Sequence, residues 1–362
     1  MTVFKDTYKN KKVLITGATG FKGTWLSMWL RSLGAQVIGY SLLPNTNPSM
    51  FNICHMKDKI TSIIGDIRDY ESLEKVCREY EPDIIFHLAA QPLVRLSYKE
   101  PLKTYETNVM GTANILEAAK NCDSVEAVIV ITTDKCYENK EWAYGYRESD
   151  PMGGYDPYSS SKGCAELIVS SYRNSFYNDK RVPLASARAG NVIGGGDWAE
   201  DRLIPDFVRA VCQNNDIIVR NPLANRPWQH VLEPLSGYLW LGALMVKDKE
   251  KYNSGWNFGP RDSDILNVED ILRLCISSWG KGAMKFHEGY NPHEANSLKL
   301  DISKANTYLK WKPVKDVKTA VYDTIDWYKT YYETNKNMYD YTIKQIHEYE
   351  DKGKELGLIW SE

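Results

Sequence analysis

Tyr158 and Lys162 stand four residues apart in Tyr158-Ser-Ser-Ser-Lys162, a spacing that puts both side chains on one face of a helix. A free tyrosine titrates near pH ~10 and is a poor base at neutrality, but a nearby ammonium stabilises the phenolate and lowers that value. Such a phenol can take the proton from a hydroxyl while hydride leaves the same carbon. A second cluster is Thr132-Thr133-Asp134-Lys135. Thr133 can hydrogen-bond the reacting hydroxyl alongside Tyr158, and Asp134 with Lys135 forms an acid–base pair able to set each partner's pKa. Taken alone, the first pair also fits a surface contact and the second a loop salt bridge.

A third pattern places hydride chemistry within reach. Gly17-Ala-Thr-Gly20-Phe-Lys-Gly23 follows the apolar run Val13–Thr16 and opens a helical pattern through Trp25, Leu26, Trp29, Leu30 and Leu33. In that context the first glycine permits a tight turn, the second lets backbone approach a pyrophosphate, and the third lets helix and strand pack closely. The expected cofactor is a nicotinamide dinucleotide. The acidic residue expected about 20 residues on for the ribose hydroxyls is missing, because the next strand ends Gly39-Tyr40-Ser41-Leu42. That strand therefore leaves NAD against NADP open. Gly65-Asp66-Ile67-Arg68 would hold an adenine or form a turn with a solvated ion pair.

These residues must be carried by strands. Apolar runs at 13–16, 36–42, 61–67, 83–89, 127–133 and 184–189 alternate with helical patterns, among them 69–80, 104–120 and 158–176. Strands apolar on both faces and alternating with helices predict an α/β doubly wound parallel sheet of Rossmann type, with ligands at its carboxyl ends. After about Asn191 the texture turns to Gly, Pro and Trp-rich loops, read as a smaller C-terminal substrate-binding lobe. A helical pattern at 235–246 returning to the sheet makes the division discontinuous. Residues 1–190 with roughly 228–258 form the dinucleotide-binding domain, and roughly 191–227 with 259–362 form the lobe.

A formal charge of −2 gives no global basic field, so nucleic acid and anionic membrane are not expected partners. The run Leu239–Val246 is too short to span a bilayer. Seven cysteines with no Cys-x-x-Cys argue against a disulfide framework and for a reducing cytoplasm. The histidines form no cluster, so no metal is expected. The tyrosines at 328, 331, 332, 339, 341 and 349 are expected to pack a peripheral or oligomeric surface.

Over nearly its whole length the chain resembles the extended short-chain dehydrogenase/reductase family, and within it the nucleotide-sugar 4,6-dehydratases. The matching segments are Gly17–Gly23, Gly65-Asp66, His87-Leu88-Ala89-Ala90-Gln91, Thr107-Asn108, Thr133-Asp134-Lys135, Tyr158–Lys162 and Arg188–Asn191. Segments 90–98, 134–137, 190–198 and 226–234 are similar to the CDP-glucose branch of that group. Asp134-Lys135 stands where the dTDP-glucose and GDP-mannose branches carry an acidic second residue.

The resemblance implies NAD as a cofactor regenerated in each turnover and CDP-glucose as substrate. Tyr158, with Lys162 and Thr133, would oxidise C4, Lys135 would take the C5 proton, and Asp134 would protonate the departing C6 hydroxyl. It implies cofactor contacts from Gly17, Thr19, Gly20, Phe21, Lys22, Gly23, Asp66, Ile67, Leu88, Ala89, Ala90, Asn108, Tyr158 and Lys162, with Asn108 also acting as structural support for the site. It implies substrate contacts from Gln91, Arg95, Asn191, Arg202, Arg226 and His293, the arginines gripping the diphosphate. Trp256–Pro260 is expected to pack or shape a loop. A homo-oligomer, dimer or tetramer, is expected through the helices bearing Asn108 and Tyr158; Ile115, Leu116, Leu167 and Ile168 would serve an interface or the core. A GDP- or dTDP-linked substrate, a 4-epimerase and a cofactor-sensing protein stand as alternatives.

Overall fold

The structure, a computed structural model, describes residues 3–178, 182–286 and 298–362. Its centre is a seven-stranded sheet formed by β1 (Lys12–Thr16), β2 (Gln36–Ser41), β3 (Thr61–Ile64), β4 (Ile84–His87), β5 (Ala127–Ile131), β6 (Leu184–Ala189) and β7 (Gly255–Phe258). The spatial order is β7-β6-β5-β4-β1-β2-β3 and every pairing is parallel. Val13 lies between Val37 and Ile84, so the apolar run of β1 meets apolar neighbours on both sides. The order reverses between β1 and β4, and a crevice for a ligand opens at such a point.

Helices α1 (Phe21–Ser32), α2 (Tyr70–Tyr80), α3 (Gly111–Lys120) and α4 (Pro157–Tyr172) start where local chemistry allows. Asp69 caps α2 by accepting from the Ser72 amide. Asp156 caps α4 through the Ser159 amide, with Pro157 in the first turn. Two apolar clusters, one on each face, bury the sheet.

The seventh strand lies in the segment expected to pack or shape a loop; it packs, but as a strand. Four residues between Gly and Pro give too short a period to be read, but Trp256 and Phe258 are buried and β7 continues the sheet beyond β6. The C-terminal tyrosines also depart from expectation. Tyr328 and Tyr349 are fully buried, because the helices Val317–Glu333 and Met338–Glu355 turn them inward beside Trp327 and Trp360; Tyr332 stays exposed. Among the described residues no helix is long and apolar enough to cross a membrane.

Candidate active site

One cleft runs across the carboxyl ends of the strands, lined by the glycine loop, Asp66, Ile67, Leu88–Ala90, Thr132–Lys135, Tyr158 and Lys162. Its far wall comes from the segments after β6, including Asn191, Arg202, Arg220 and Arg226. A second cleft, lined by Lys5, Trp240, Lys247 and Tyr308, contains none of these groups.

Gly17 adopts φ +78°, and a Cβ there would stand 2.8 Å from the Ala89 amide. A Cβ on Gly23 would stand 2.1 Å from the Gly17 carbonyl oxygen, so only glycine lets α1 sit this close to β1. Gly20 is the N-cap of α1 and offers no side-chain cap, leaving the first-turn amides directed at the cleft. That bare helix start suits a pyrophosphate. At the end of β2, Thr19 donates its amide to Ser41 Oγ at 3.3 Å and its hydroxyl to the Leu42 carbonyl at 2.9 Å. Ser41 and Asn45 offer neutral polar groups on that side. Asp66 is engaged by Arg68, whose Nη2 lies at 2.6 Å, yet both residues line the cleft. The residues present therefore fit a dinucleotide.

The Tyr158 amide donates to Ser97 Oγ at 3.1 Å, fixing the start of α4. Burial pushes the Tyr158 phenol up to about 12; Asp134 adds to that, while hydrogen bonding from Thr133 and the charge of Arg202 oppose it. In the ligand-free protein burial thus outweighs the cationic lowering expected from spacing. Lys162 donates to the Ile131 carbonyl at 3.4 Å, and burial lowers its ammonium to about 8 against the opposing charge of Glu166. Lys22 is lowered to about 8 by burial and by the charges of Arg202 and Lys162. Lys22, Lys162 and Arg202 add to the cations that line the cleft, an arrangement that favours an anionic ligand.

Asp134 sits at the head of the turn Asp134–Cys136. Its Oδ1 accepts from Thr133 Oγ1 at 2.8 Å, and its buried Oδ2 has no hydrogen-bond partner among the described residues. Burial raises this carboxyl above the usual range, against the lowering charge of Lys135. A carboxyl shifted in this direction moves towards the protonated form that a general acid needs. Lys135 follows it and lines the same cleft, so acid, amine and phenol converge.

The model of the GDP-mannose 4,6-dehydratase family matches residues 14–324. The chain belongs to that family. It is 53% identical to the CDP-glucose 4,6-dehydratase of Salmonella typhimurium over 333 residues, covering 90% of this chain and 93% of the relative. Among solved structures, the dTDP-glucose 4,6-dehydratase of Bacillus anthracis in complex with NAD matches at TM-score 0.73 and 23% identity, covering 89% of this chain and 98% of that one. The UDP-glucose 4-epimerase of Thermotoga maritima matches at TM-score 0.76 and 20% identity, covering 88% and 99%.

Not every residue expected to bind ligand in this family member reaches the cleft. Asn108 is buried behind the wall in a π-helical turn, Glu106–Met110. Its Oδ1 accepts from the Gln91 amide at 2.8 Å, and its Nδ2 donates to the Gln91 carbonyl at 3.1 Å and Ser161 Oγ at 2.8 Å. Gln91 donates through its amide group to Thr104 Oγ1 at 2.9 Å. Both brace the loop after β4 from behind, since their polar groups are consumed by backbone and helix partners. His293 lies outside the described residues.

Arg202 pairs with Asp197 at 2.6 Å, and Arg95 with Asp201 at 3.4 Å, while all four line the cleft. Arg220, which sequence reasoning missed, joins Asp201 at 3.1 Å. Its one local signal is an arginine ending the short apolar run Ile217–Val219.

Proposed function

We propose that this protein is a nucleotide-sugar 4,6-dehydratase that converts CDP-glucose to CDP-4-keto-6-deoxyglucose with NAD, in deoxysugar biosynthesis. The observation that carries the reading is the 53% identity, over 90% of the chain, to the Salmonella typhimurium enzyme of that name. It is supported by the convergence of Thr133, Asp134, Lys135, Tyr158 and Lys162 on one cleft.

Tyr158 takes the proton of the C4 hydroxyl, with Thr133 hydrogen-bonded to the same centre and Lys162 supplying positive charge. The chemistry that NAD supplies when bound is reversible hydride acceptance, from C4 first and back to C6 last. The 4-ketone acidifies the C5 hydrogen, and Lys135 takes that proton. Asp134 gives its proton to the C6 hydroxyl, the C6–O bond breaks and water leaves. Lys135 then returns a proton to C5. Arg95, Arg202, Arg226 and Asn191 hold the nucleotide diphosphate. Residues 1–190 with 228–258 carry the dinucleotide, and 191–227 with 259–362 carry the nucleotide sugar. The protein works in the cytoplasm, consistent with seven free cysteines, and as a homo-oligomer.

Incubation with CDP-glucose and NAD in deuterated water tests this. The expected product has lost one water and carries one deuterium at C5. A galacto product of unchanged mass would indicate an epimerase, and turnover only with GDP- or dTDP-sugars would move the substrate. In Lys135→Ala, wild-type C5 deuteration would remove the lysine from its role.

A further inference from the structure

The turn bearing Asp134 and Lys135 is tied at both ends to one buried network that does not itself reach the ligand. At its front, Thr132 Oγ1 donates to Glu166 Oε1. At its back, Arg188 Nη1 donates to Tyr137 Oη at 2.6 Å, and Tyr137 Oη donates to Asn257 Oδ1 at 2.8 Å. Glu166 and Arg188 link the two ends, with Nε to Oε1 at 2.9 Å and Nη2 to Oε2 at 2.8 Å. Ser186 Oγ fills the remaining site on Oε2 at 2.7 Å. Glu166, Arg188, Tyr137 and Asn257 are all buried, and none of them lines the cleft.

A buried ion pair is a weak way to stabilise a fold, since well-packed apolar residues do as well or better. What this pair adds is position. Glu166 lies one helical turn beyond Lys162 on α4, and Arg188 lies on β6, two residues before Gly190. A Cβ on Gly190 would stand 2.9 Å from Asp134 Oδ2, so β6 closes directly on the carboxyl. Tyr158 has anchors of its own in the Asp156 cap and Ser97, beside its hydrogen bond with Thr133.

We propose that Glu166, Arg188 and Tyr137 form a positioning clamp that holds the 134–136 turn against C5 and C6, so that it governs water loss more than the preceding C4 oxidation. The inference rests on the dehydratase reading above. The clamp fixes Thr132, two residues before the turn, and Tyr137, the residue that follows it. Loosening the Tyr137 end shifts Asp134 and Lys135 from the side away from Thr133 and the phenol. A displacement of about 1 Å in a reacting group costs on the order of 100-fold in rate.

Single-turnover kinetics of Tyr137→Phe test the clamp, with Glu166→Gln as the stronger variant. Formation of reduced dinucleotide reports oxidation; its decay, with deuterium entry at C5, reports water loss. In Tyr137→Phe, oxidation should stay within about 2-fold of wild type while water loss slows by roughly 10- to 100-fold, so that reduced dinucleotide accumulates. Glu166→Gln should shift the partition in the same direction. Equal slowing of both steps, or no change in their ratio in Tyr137→Phe, overturns the clamp and leaves the dehydratase reading intact. Tyr137→Phe removes one hydroxyl and keeps the ring, so it keeps the question answerable if Glu166→Gln does not fold. Wild-type protein that oxidises no nucleotide sugar overturns both readings.

Discussion

A phenol shut away from water keeps its proton, because the phenolate forfeits hydration that the neutral hydroxyl scarcely needs. In Tyr158 that penalty is the largest influence, and it holds the group near 12 although Arg202 works the other way. In this fold the tyrosine is therefore neutral at about pH 7, and further positive charge beside it would be needed to make it a base. An ultraviolet difference titration of wild type against Tyr158→Phe should show no tyrosinate signal from this residue below about pH 10. A component titrating near pH ~8 in the absence of ligand would mean that Lys162 alone activates the phenol. The pair was legible in sequence because a four-residue helical spacing is local geometry. The sign of its pKa was not legible, since burial is set by segments far away in the chain. Gln91 shows the same limit: it stands in a motif segment, but only the packed structure shows its polar groups turned from the cleft towards Asn108 and Thr104.

Among the elements, those whose cause is local were the easiest to read. β1 and α1 follow from an apolar run, a glycine turn and an amphipathic period; β1 lies within a residue of where the pattern puts it, while α1 begins at Phe21, inside the glycine segment. β7 was obscured because four residues cannot display a period, and the segments that bury Trp256 and Phe258 are distant in sequence. The anchoring of the C-terminal helices was equally hidden. Glu233, at the start of the helix Leu232–Lys247, is buried and accepts from the amides of Val314 at 2.9 Å and Lys315 at 2.7 Å and from Tyr349 Oη at 2.9 Å. Burial raises its carboxyl to about 7, and those donors only partly oppose it. The folded state thus binds a proton that the unfolded chain releases near its ordinary value, so between the two values stability falls as pH rises. Ionisation costs on the order of 3 kcal/mol across that window. Against Glu233→Gln, whose amide does not titrate, the melting-temperature advantage of wild type should be largest near pH ~5 and shrink by about pH 8. An advantage that grows with pH would show that the carboxylate form is the one the fold prefers.

For the whole molecule, the helices that carry the site also bear on assembly. Ile115 and Leu116 face inward and are fully buried within one chain, which removes them as contacts between copies. Met110, 55% exposed, and Leu167, 60% exposed, are large apolar side chains left in solvent on the paired helical segments 106–120 and 157–172. Isolated exposed apolar residues need no partner, but two on neighbouring helices suit a symmetric contact in which each copy presents the same face. A pair of charges at the centre of such a contact would be buried without partners, which costs several kcal/mol. If the proposed homo-oligomer forms through this face, the double variant Met110→Glu, Leu167→Glu should sediment at a smaller mass than wild type. Its thermal stability should stay close to wild type at the lowest protein concentrations, where the wild type is itself dissociated. Since the Glu106–Met110 turn and α4 hold Asn108 and Tyr158, loss of the contact should also loosen the site and lower turnover. A double variant that keeps the wild-type mass would remove this face as a contact between copies.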